Sequence, residues 1–163
     1  MSGDRARAAV ASASALLDGV AGAIALGLMA MTVVDVLGRY LLNAPLSGAY
    51  ELTQYGLALV VFAALPQVTA AGEHVAVDLF EKALPAWVRR ALAIVWAVVI
   101  AGALLFLAWR LTFLAERLGR YGDSTPTLKI PLAPLAWIMA GSSALSALLA
   151  LAQPFLSRPA ETA

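Results

Sequence analysis

Four stretches of this chain run apolar for more than twenty residues each, and charged groups gather mainly between them. They cover residues 16–38, 50–71, 87–109 and 132–154. About 20 helical residues cross a hydrocarbon core of ~30 Å, so the lengths predict four transmembrane α-helices. Strands are disfavoured, because an unclosed sheet leaves backbone N–H and C=O groups unsatisfied in lipid. The links are short and rich in turn residues. RYLLNAPLSGA joins the first two spans, with Asn43 and Pro45 as turn formers. In GEHVAVDLFEKALPA, apolar Val75, Val77, Leu79 and Phe80 alternate with Asp78, Glu81 and Lys82, which predicts a short interfacial segment between helices 2 and 3 that Pro85 ends. The last link begins at Arg110, where the third helix is expected to continue outside the membrane for a turn or two. The expectation is an all-α membrane protein whose residues 1–163 form a single membrane domain.

Composition supports the bilayer as solvent. The chain is 62% hydrophobic and 13% charged, against roughly half and a quarter in soluble domains. A net charge of +1 gives no case for nucleic acid, and the lack of cysteine removes disulfides, thiolate catalysis and iron–sulfur clusters. Arg5 and Arg7 precede an apolar run too long for a signal peptide, so it reads as a retained first span. Orientation is finely balanced. Arg5, Arg7, Lys82, Arg89, Arg90 and Arg158 stand on one side, against Arg39, Arg110, Arg117, Arg120 and Lys129 on the other. The arginines before the first span tip the reading toward both termini inside.

Few residues could carry chemistry. His74 is the one histidine. Asp78 and Glu81 follow it at helical spacing, so a metal-binding face is conceivable, but a single nitrogen ligand makes a polar, interfacial end to span two the better reading. One histidine also excludes a bis-histidine haem. Asp35 and Arg39 are spaced i, i+4 with the acid first, the favourable order for a helix-end ion pair. Glu51, across a short link, is expected to reach Arg39 as well and clamp the first hairpin. Pro66 predicts a kink and a freed carbonyl that needs a partner. Gly19, Ala23 and Gly27 form a ladder of small residues, as do Ser142 and Ser146 with Gly141 nearby, and such ladders mark close helix contacts. The span middles hold no ionisable group and no internal repeat is evident, which favours an accessory subunit over a carrier or an enzyme.

At this point the motifs resemble those of the small permease subunit of tripartite ATP-independent periplasmic (TRAP) transporters. Arg39, Tyr40, Asn43 and Pro45, then Glu51 at the start of the next span, match one pattern of that family. Gly72, His74, Val75, Val77 and Asp78 match a second, about twenty residues on. IPLAPLAWIMAG is also similar to the family's fourth-span start. The resemblance covers nearly the whole chain. It implies a scaffold role in the bacterial inner membrane, with N-terminus and C-terminus both inside. It implies two partners, a large permease subunit that carries a small organic anion with a coupling ion, expected to be sodium, and a periplasmic substrate-binding protein. It implies that Asp35, Arg39, Tyr40, Asn43, Pro45, Glu51, Gly72, His74 and Asp78 serve structure and assembly, with no catalytic residue, metal or cofactor in this chain. The competing expectation is a membrane anchor for a redox or signalling complex, which a bound haem, quinone or flavin would reveal.

Overall fold

The computed structural model describes residues 2–71 and 85–156. Among them run four helices: α1 Ser2–Leu41, α2 Ala49–Ala71, α3 Ala86–Tyr121 and α4 Ala133–Leu156. All four are long and apolar enough to cross a membrane, and the described residues contain no strand beyond one isolated bridge. The first, second and fourth spans end close to where hydropathy put them on the loop side. The third does not. α3 runs 36 residues, ~54 Å at the helical rise, and continues a dozen residues past Trp109. RLTFLAERLGR is dominated by Leu, Arg, Ala and Glu, good helix formers, and the helix runs through Gly119 to stop only at Gly122. There the backbone turns left-handed (φ 66°), and the N–H groups of Gly122 and Asp123 both donate to the Leu118 carbonyl. That is a Schellman-type cap.

The helices form an open row in the order α1, α2, α4, α3. The α3–α4 contact is a seam of small residues. Ala101, Leu104, Ala108, Leu111 and Ala115 are buried on α3, and Ala136, Ala140, Ser143, Ala147 and Ala150 on α4. Both sets alternate steps of three and four, the 3.5-residue period of a left-handed antiparallel pair. Alanine and serine knobs let the backbones approach closely where lipid offers no hydrophobic drive for association. Register is anchored at the loop end, where a Cβ on Gly119 would stand 3.7 Å from Ala133 Cβ.

α2 lies parallel to α4 and is tied to it by hydrogen bonds. Pro66 is buried inside α2 and has no N–H to give the Phe62 carbonyl four residues back. Ser142 Oγ, on α4, donates to that Phe62 carbonyl, so the partner anticipated for the freed group is a hydroxyl from the neighbouring helix. Lower down, Gln153 Nε2 donates to the Ala70 carbonyl at 3.2 Å. α1 packs on α2 alone among the substantial contacts. Its Leu28 fills the space over Gly56, where a Cβ would come within 2.8 Å of the leucine methyl.

The two small-residue ladders part ways. Ser146 is buried and Ser142 bridges to α2. Gly19, Ala23 and Gly27 sit on the exposed side of α1, and no atom outside the helix stands within 4 Å of a Cβ placed on either glycine. At both glycines that ladder faces open space among the described residues.

The proline and serine form a testable pair. Ser142→Ala is expected to lower stability in detergent by about 1 kcal/mol. In a Pro66→Ala background the same change should cost much less, because the new amide serves Phe62 itself. Equal costs in both backgrounds, from a double-mutant cycle of denaturant-induced unfolding, would rule out this coupling.

Candidate functional site

The polar groups with definite partners concentrate where the α1–α2 and α3–α4 loops meet. α1 ends in a tight reversal. The Gly38 carbonyl accepts N–H bonds from Leu42 (3.1 Å) and Ala44 (3.0 Å), and Asn43 takes a left-handed φ of 51°. A Cβ on Gly38 would lie 2.7 Å from the Ala44 carbonyl oxygen, so this approach requires glycine. Asp35 holds the returning chain. One carboxylate oxygen accepts from Arg39 Nη2 at 2.8 Å and the other from the Leu46 N–H at 2.8 Å. The expected Asp35–Arg39 pair is therefore present, and the acid also fastens the loop.

Glu51 does something different from the expectation. It does not pair with Arg39. Its side chain is buried, and its carboxylate accepts the Thr127 N–H at 2.7 Å and the Leu128 N–H at 2.9 Å. The α3–α4 loop is folded to present these amides. Thr125 N–H donates to the Ile130 carbonyl (2.9 Å), Ile130 N–H to Thr125 Oγ1 (3.0 Å) and Leu132 N–H to the Asp123 carbonyl (3.1 Å). Lys129 takes φ 56° to close the reversal. Two successive amides left at the tip make a small anion-binding concavity, and charge-assisted bonds to it are about twice as strong as neutral ones.

A second contact locks the loops sterically. Gly48, at φ 84°, faces the Leu128 side chain, and a Cβ there would come within 2.6 Å of Leu128 Cγ. Tyr55, one turn beyond Glu51, directs its hydroxyl to the Pro131 carbonyl at 3.4 Å, a long bond. The start of α2 thus grips the α3–α4 loop on one side and is held by α1 on the other.

Of the remaining residues singled out from the sequence, Tyr40 is 81% exposed and Pro45 is exposed in the loop. Neither is brought to the Glu51 cluster by a hydrogen bond. Gly72, His74 and Asp78 lie outside the described residues, as does the interfacial segment expected around them. The residues that sequence reasoning missed are Thr127, Leu128 and Gly48. DSTPT marks a turn by its residue types, but nothing local announces that its tip amides meet a carboxylate 76 positions earlier.

Four apolar helices with this polar junction define a multi-pass membrane protein. Residues 28–158 match the family described as "Tripartite ATP-independent periplasmic transporters, DctQ component", and the chain belongs to that family. The family supplies the small membrane component of transporters that also contain a large permease and a binding protein. No curated protein and no solved structure matches this chain.

Loss of the carboxylate should release the loop. Glu51→Ala removes the shared acceptor of the two tip amides and should lower stability, whereas Glu51→Gln retains one acceptor and costs less. Hydrogen exchange at the Thr127 and Leu128 amides should rise sharply in the alanine variant. Arg39→Ala should be milder, because Leu46 still holds Asp35. Unchanged protection at both amides in Glu51→Ala would show that the grip is not formed.

Proposed function

We propose that this chain is the static scaffold subunit of a TRAP-type secondary transporter in the bacterial inner membrane. A large permease subunit moves a small organic anion with a coupling ion, and this chain gives it a fixed wall to move against. It performs no catalysis itself. The single feature that best supports the reading is the Glu51 grip on the α3–α4 loop. Together with the Ser142–Phe62 bond and the alanine seam, it ties the helices into one stiff body, which suits a part that stays still. The site residues serve this role: Asp35 and Arg39 fasten the first hairpin, and Glu51 joins it to the second.

With both termini on the cytoplasmic side, the two loops face the periplasm. They then form a rigid, partly apolar rim beside the place where a substrate-loaded binding protein arrives. His74 and Asp78, in the cytoplasmic link, set the depth of helices 2 and 3 by resisting transfer into lipid.

The test is uptake by reconstituted liposomes. The large subunit with the binding protein should transport poorly, and adding this chain should restore uptake. Glu51→Ala should restore it less than the wild-type chain. Full-rate uptake without this chain would end the scaffold reading.

A further inference from the structure

The register of α3 against α4 leads to a feature that hydropathy conceals. Gly119 is level with Ala133. Nine residues back along α3 is Arg110, and nine residues on along α4 is Ser142, so these two are level. Ser142 in turn bonds Phe62. Arg110 therefore lies ~14 Å below the loop end of α4 and about 20 Å below that of α2. This is the middle of α4 and of α2 beyond it, not the outer end that hydropathy assigned to Arg110.

Arg110 and Arg117 share one side of α3, opposite the buried Ala108–Leu111–Ala115 seam, and both are exposed. Together they line one groove. Neither has an ion pair or hydrogen bond among the described residues. Beside them Phe106 packs tilted and Phe113 edge-to-face against Trp109, with ring centroids 5.9 and 5.2 Å from it. Each of the three is more than half exposed. An arginine at this depth is costly against lipid, and intramembrane arginines face protein, water or an acidic partner. Arg117 is close enough to the loop end to reach headgroups, but Arg110 is not.

We propose that this face of α3 is the docking surface for the large permease subunit, and that Arg110 pairs there with a carboxylate on one of its spanning helices. The proposal rests on the scaffold reading above and adds the face and the charge that make the contact. Arg110 and Arg117 stand ~10 Å apart along the axis. A facing helix with acidic residues two turns apart meets both, with the aromatic groups packing around the pairs.

The experiment uses the full chain co-expressed with the large subunit. Arg110→Leu should reduce the co-purified large subunit by on the order of tenfold, with Arg110→Lys intermediate and Arg120→Leu unchanged. The Arg110→Leu chain expressed alone should accumulate at least as well as wild type, since removing an unpaired charge relieves its insertion. The chain has no cysteine, so Phe113→Cys supplies a unique probe. A membrane-permeant maleimide should label it in the lone chain and not in the complex.

Normal assembly of Arg110→Leu, with equal labelling in both settings, would place the face against lipid and overturn the proposal. Protection of the Phe113→Cys thiol in the lone chain, through pairing with a second copy, would overturn it equally. If the wild-type chain retains no large subunit at all, the scaffold reading falls first and takes the proposal with it.

Discussion

A backbone carbonyl inside a bilayer has no water to turn to when its helical partner is missing. Much of this structure follows from that constraint. Pro66 removes one amide from α2, and the fold supplies a serine hydroxyl from α4 to the orphaned Phe62 carbonyl. The bond forms only because the two helices run close and parallel at that point. Ser143, Ser146, Thr53 and Thr69 answer the same constraint more locally, each donating to a carbonyl four residues earlier in its own helix. With the polar atoms settled, packing is left to alanines, and α3 and α4 lie against each other along a seam of the smallest side chains available.

The loop junction solves the parallel problem for charge. A glutamate at the start of a spanning helix must find donors or stay in the headgroups. Glu51 finds two amides that a tight reversal has turned toward it. Asp35 divides its oxygens between a guanidinium and a loop amide. Both acids bind main chain, so they order backbone as well as neutralise charge. The consequence is that the order α1, α2, α4, α3 is held by contacts at two heights: hydroxyl and amide bonds between α2 and α4 within the spans, and carboxylate bonds at the rim.

Hydropathy made four helices legible, and i, i+4 spacing made the Asp35–Arg39 pair legible, because both signals are local. The limits were equally physical. Hydropathy reports where residues tolerate lipid, not where a helix stops, so a continuation of α3 past Arg110 was legible but its full length to Tyr121 was not. Pro66 announced a missing bond, but the identity of Ser142 as its partner depends on helix order. Glu51 was matched to the nearest arginine, when its true donors are remote in sequence and carry no charge. In an alanine-rich chain the buried seam has no compositional contrast, while the glycine ladder of α1, which looked like a contact, faces outward.

Glu51 is held by the side chains of Thr125 and Thr127 as well as by the main-chain amides of the loop tip. A residue without a hydroxyl at position 127 would keep the amide bond and give up the other. The outermost position of the rim is therefore not free to be rewritten for a different visitor, because losing the hydroxyl there also loosens the fastening underneath.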